Sequence, residues 1–188
     1  MAVPYPLERV AVCNVYNAEL ITAVGAIDKI VGVDNYIFKD QSGFKNRFNE
    51  TQVFGISQNA MNYEKLAELA PQAVIITGEG TWRDAQEMLD RFGIKVIVIN
   101  SYYTDQFADN CRLIGRIFGR EEQAEELVNY FNDKLAYIKA SPAEVCILNI
   151  GLLEKQQCRA IIFIKWLNIQ ALIIFLPLLK DRRLIRKR

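Results

Sequence analysis

The chain has 188 residues, 51% of them hydrophobic, which is enough to bury one sizeable core or two small ones and excludes a disordered chain. Lys and Arg total 23 against 22 Asp and Glu, a balance that offers no general attraction for nucleic acid. There is no histidine, which removes the commonest general base, the commonest transition-metal ligand and the usual partner of a Ser or Cys nucleophile.

The opening MAVPYPLERVAV lacks the basic segment and apolar run of an export signal, so the chain as written reads as cytoplasmic. From Arg9 to Asn100 short apolar runs alternate with amphipathic segments, the pattern of crossover units on a mainly parallel sheet. Strands are predicted at residues 9–12 (RVAV), 30–33 (IVGV), 73–77 (AVIIT) and 95–100 (KVIVIN). Helices are predicted at 18–27, 63–70 and 81–93, where apolar residues recur every three or four positions. Thr81 followed by Asp84 suits a helix start, and Gly93 a helix end. A further helix is expected over 105–118 and a longer one over 120–138. The latter has an acidic first turn (Glu121, Glu122, Glu125, Glu126), basic Lys134 and Lys139 near its end, and Ser141 and Pro142 as its stop. The fold class implied is α/β: a Rossmann-like lobe with a mainly parallel sheet flanked by helices, followed by a long linking helix. The corresponding divisions are residues 1–119 for the lobe, 120–141 for the helix and 142–188 for a truncated or aberrant C-terminal segment.

Ligands on open α/β sheets collect beyond the carboxyl ends of the strands. Here those ends carry Asn14, Tyr16 and Asn17; Tyr36 to Lys39; Thr77, Gly78, Glu79 and Gly80; and Ser101, Tyr102 and Tyr103. Aromatics and amides dominate, and Lys39 is available to an anionic group. The structural alternative is that the tyrosines cap the core with their hydroxyls in water. GEG at 78–80 lacks the third glycine and the Lys/Ser pair of a phosphate loop. A nucleotide-binding enzyme would need a glycine-rich turn where CNVYNAEL stands, although Asp34 does sit where an acidic residue should end the second strand. Cys13, Cys111, Cys146 and Cys158 are scattered with no CxxC pair, so neither a zinc site nor a disulfide framework is indicated.

The ordered set PYPLERVAVCNVYNAELITAVGAIDKIVGVD, GISQNAMNYEKLAELAPQAVIITGEG and FGIKVIVIN resembles the N-terminal lobe of the periplasmic binding proteins that serve siderophore, haem and cobalamin importers. The resemblance covers about residues 4 to 140. It implies two Rossmann-like lobes joined by one long helix, which residues 120–139 match, and a metal chelate held between the lobes. Gln58 joins the strand-end residues as a ligand contact on this reading, and Glu64, in NYEKL, is the carboxylate that docks into arginines of an ABC transporter permease. On helix electrostatics alone Glu64 would be a favourable first-turn acid. No catalytic residue, resident metal or cofactor is implied, and members of the family are periplasmic or attached outside the membrane.

Past Val145 the resemblance is expected to continue into a second lobe, and the residues change character instead. Rereading the codons allowed from Cys146 onward in a shifted frame permits YFEYWTTRKTTVPGDYF, which resembles the start of that lobe, so a frame-shifted, truncated product is the leading account. A buried segment completing the single lobe is the second. The third is a membrane anchor over Ala160 to Leu179, which Lys165, Asn168 and Gln170 disfavour. A lone lobe with an exposed half-cleft is also expected to self-associate.

Overall fold

A computed structural model describes residues 4–40, 43–44, 46–80 and 82–140, the last four as backbone only. The chain divides into two units, residues 1–131 and 132–188, and the account below concerns the first. Thr81, the stop at Ser141 and Pro142, the Lys139 side chain, Cys146, Cys158 and the whole tail lie outside what is described.

Strand β1 (Val10–Val12) leads to helix α1 (Val15–Ala23), β2 (Ile30–Val33) and a short α2 (Asn35–Lys39). Helix α3 (Tyr63–Glu68), β3 (Ala73–Ile76), α4 (Trp82–Asp90) and β4 (Lys95–Val98) follow, then α5 (Phe107–Phe118) and α6 (Glu121–Ala140). The four strands form one parallel sheet in the order β2-β1-β3-β4, with Val10 opposite Ala73 and Ala73 opposite Lys95. The predicted α/β class, with four strands in one parallel sheet, is thus that of the structure, which also supplies the strand order. β1 and β3 are buried along their whole length, as central strands covered on both faces must be. On one face Ala11, Cys13, Val74, Ile76 and Val96 pack with Phe54, Leu66, Ala85, Leu89 and Ile94 beneath α3 and α4. Alternation sends Val10, Val12 and Ile75 to the other face, where α1 and α5 touch each other.

Boundaries differ from expectation for local reasons. Helix α1 begins three residues earlier than periodicity suggests, because Asn14 caps it: its Oδ1 accepts from the Tyr16 N–H at 2.9 Å. It ends at Ala23, and Gly25, at φ 77°, turns the chain as only glycine does cheaply. Helix α3 ends at Glu68, with Ala70 at φ 47° held there by Arg9. Arg9 donates from Nε to the Ala70 carbonyl at 3.2 Å and from its terminal nitrogen to that of Leu69 at 2.6 Å. The stretch after β2, where no helix is predicted, winds into α2, because Asp34 accepts from the Ile37 N–H at 3.0 Å and caps a helical turn. The stretch read as one helix from 105 opens as a 3₁₀ turn at Thr104–Gln106 before α5 begins. Among the described residues no helix is long and apolar enough to cross a membrane.

Candidate functional site

β1 connects onward to β2 on one side of the sheet while β3 connects to β4 on the other, so the chain reverses its winding direction between β1 and β3. In open sheets of this kind loops diverge from the switch point, and ligands bind in the crevice between them at the carboxyl ends of the strands.

Side-chain to backbone bonds tie these loops together. The Asn14 N–H donates to Asp34 Oδ2 at 2.9 Å, fastening the end of β1 to that of β2. Asp34 is buried, and burial raises its pKa against the opposing pull of the backbone N–H groups of Asn14, Ile37 and Tyr36. Both of its oxygens are therefore engaged by backbone. That makes it unsuited to the ribose-hydroxyl role a nucleotide enzyme would assign it. Between β3 and the 55–62 loop, Gln58 Oε1 accepts from the Thr77 N–H at 3.0 Å and from its hydroxyl at 2.8 Å, while Gln58 Nε2 donates to the Glu79 carbonyl. The Gly78 N–H donates to Asn100 Oδ1 at 2.7 Å, joining the ends of β3 and β4. Gly80, at φ 85°, lies so close to Asn59 that a Cβ would sit 2.5 Å from Asn59 Oδ1.

The predicted residues separate into two groups. Asn17 is fully buried: it donates to the Cys13 carbonyl at 3.2 Å and accepts from the Ser101 hydroxyl at 2.7 Å, so it braces the floor of the crevice and does not reach the rim expected of it. Thr77 is buried likewise, Asn14 spends its side chain as a cap, and Gln58 spends its own on the clasp. Tyr16, Tyr36 and Tyr103 are exposed, at 40%, 63% and 43%. Tyr102 donates its hydroxyl to Glu79 Oε1 at 2.7 Å, and its ring lies 6.4 Å from that of Tyr16 and 4.3 Å from that of Tyr103. Burial first, then hydrogen bonds to Tyr103 and Glu79, push the Tyr102 hydroxyl well above its ordinary pKa and keep it a neutral donor. Lys39 is exposed at the far end of α2, away from the tyrosine cluster in the sequence of loops. Glu64 is exposed in the first turn of α3, capped by Asn62, whose Oδ1 accepts from the Lys65 N–H at 2.9 Å. Asn100 and Asn59, which shape the crevice, were not singled out from sequence. An asparagine directly after an apolar strand, with Gly78 at the matching place in its neighbour, is the pattern that could have found the first.

Gln58 is a positioning residue, and its truncation tests that. Gln58→Ala leaves the Thr77 N–H and hydroxyl without their acceptor and is expected to cost about 1–3 kcal/mol in urea unfolding. Gln58→Glu, which keeps the oxygen and loses the donor, is expected to cost less. Equal losses for the two variants would show that the accepted bonds contribute little.

An open parallel sheet with exposed tyrosines beyond its strand ends, on both sides of a switch point, defines a Rossmann-like lobe. The sequence profile of the periplasmic binding proteins matches residues 10–154, and the chain belongs to that family, whose members are generally solute binders without catalysis. Among solved structures, a periplasmic solute binding protein of Veillonella parvula superposes with a TM-score of 0.59 at 26% identity, over 75% of this chain and 46% of that one. Staphylococcus aureus SirA in complex with staphyloferrin B gives 0.59 at 20%, over 72% and 44%. The periplasmic vitamin B12 binding protein BtuF of Vibrio cholerae gives 0.57 at 21%, over 72% and 51%. The chain thus spans about half the length of the solved structures it resembles. No curated protein sequence matches it.

Proposed function

We propose that this chain is the N-terminal lobe of the substrate-binding component of an ABC importer, and that its ligand is a metal chelate such as a ferric siderophore, haem or a cobalamin. The observation that carries the reading is the set of exposed tyrosines at the strand ends of a chain of this family. Binding is the whole of its chemistry: exposed rings supply apolar contact area, and the clasped loops hold them in place before ligand arrives. Helix α6 is the element that leads toward a second lobe, and Glu64 is the docking carboxylate for permease arginines. The working site of such a protein is the periplasm. The rival reading, an enzyme acting on a nucleotide, is disfavoured by the engaged oxygens of Asp34 and the missing glycine-rich turn.

Intrinsic fluorescence titrations with a ferric trihydroxamate, a ferric tris-catecholate, haemin, cyanocobalamin, NAD and ATP test both readings at once. Saturable quenching by one of the four chelates is expected. Saturation by a nucleotide, with none by any chelate, would overturn the proposal. In cells that depend on the importer for uptake, Glu64→Arg is expected to abolish transport while leaving chelate affinity within about twofold, since a rim charge contributes to docking and not to the crevice. Unchanged uptake would remove Glu64 from the docking role.

A further inference from the structure

We propose that Tyr16, Glu79, Tyr102 and Tyr103 form a subsite for a positively charged, ammonium-like group of the ligand. The proposal rests on the solute-binding reading and narrows it to ligands that present a cation to this lobe. The four residues come from the loops after β1, β3 and β4, three strands that are neighbours in the sheet. The rings of Tyr16 and Tyr102 meet at 53° and those of Tyr102 and Tyr103 at 46°, so the three form one tilted cluster and not a parallel stack. Tyr16 and Tyr103 keep roughly two-fifths of their surface in solvent, far more than rings that only cap a core. Glu79 is exposed, and the Tyr102 hydroxyl binds one of its oxygens, Oε1.

An aromatic face is negative in its quadrupole, and a carboxylate bonded to a member of the ring cluster adds a full negative charge to it, so that the cluster attracts a cation and repels an anion. Arg83 lies with its guanidinium 4.4 Å from the centroid of the Trp82 ring on its own helix, and Lys39 stands at the end of α2, after the outermost strand on the opposite side of the sheet. A chelate of high negative charge would meet Glu79 on this lobe. One with a pendant amine, or a quaternary ammonium group, would be held by it.

The test uses a matched pair, choline and its uncharged isostere 3,3-dimethylbutan-1-ol, titrated into the 188-residue chain while the tyrosine ring signals are followed by NMR. Choline is expected to shift the rings of Tyr16, Tyr102 and Tyr103, and to bind about fivefold more tightly than the isostere. Glu79→Gln keeps an oxygen for the Tyr102 hydroxyl and removes the charge, and is expected to weaken choline about fivefold without changing the isostere. Tyr103→Phe retains choline binding and Tyr103→Leu weakens it. Equal binding of the two probes, or choline binding that Glu79→Gln leaves unaltered, would overturn the subsite. Choline bound as expected by a chain that binds none of the chelates would leave the subsite standing and refute the chelate as its ligand instead.

Discussion

Glu19→Gln is expected to stabilise the chain at about pH 8 by roughly 2–3 kcal/mol and to leave it unchanged at about pH 4. Glu19 lies on α1 with only 4% of its surface exposed, and neither carboxylate oxygen has a hydrogen-bond partner among the described residues. Its pKa is pushed up to about 7, first by burial and then by the negative charge of Asp40. An unfolded glutamate titrates at its ordinary value near 4.5. Between these values the unfolded chain has released its proton while the folded chain still holds it, so stability falls as pH rises and levels off above about 7. Asp34, also raised by burial, slopes the same way, so the decisive quantity is the difference between wild type and variant across the pH range. Urea midpoints measured from about pH 4 to 8 should diverge with rising pH; parallel curves would mean that Glu19 finds a partner in solution.

The second large effect is at the joint of α5 and α6. Gly115 lies where a Cβ would come within 2.5 Å of the Ala124 Cβ and 3.0 Å of the Arg120 carbonyl oxygen, two rigid neighbours. The turn between the helices is tight: Gly119 sits at φ 63°, and the Arg120 N–H donates to the Gly115 carbonyl at 2.7 Å. Gly115→Ala must spread the two helices and is expected to cost about 2–3 kcal/mol, against the small gain alanine normally brings to a helix. Ala124→Gly made in the same chain removes the other half of the clash and should restore much of that loss, a coupling read by a double-mutant cycle in thermal or urea unfolding. Additive losses would place the strain elsewhere. Because Phe131, farther along α6, stacks on Phe107 of α5 at 4.2 Å, spreading the helices loosens that contact as well.

Much of the rim was legible as a list of positions, because strand ends in a parallel sheet are where periodicity breaks. Its internal division was not. Asn17 and Tyr16 are adjacent in sequence, yet one braces Ser101, 84 residues away, and the other faces solvent. That choice follows from helix phase once Asn14 caps α1 and starts it at Val15, three residues before its apolar pattern begins. Glu19 was passed over because an acid in a helix is ordinarily a surface residue; the available signal was its setting in AELI, an acid between apolar neighbours on a helix that both α2 and α5 contact.

The sequence by itself determined the α/β class, the succession of strands and helices, and membership of a family, since these rest on local periodicity and on an ordered set of short blocks. Only the tertiary structure decided that Asp34 is a clamp and not a ribose ligand, that Gln58 and Asn100 hold the loops, and that Tyr16, Glu79, Tyr102 and Tyr103 meet. Each of these depends on which strands become neighbours. Pairing between residues distant in the chain is set by the burial of the whole sheet, and no window of local sequence carries it.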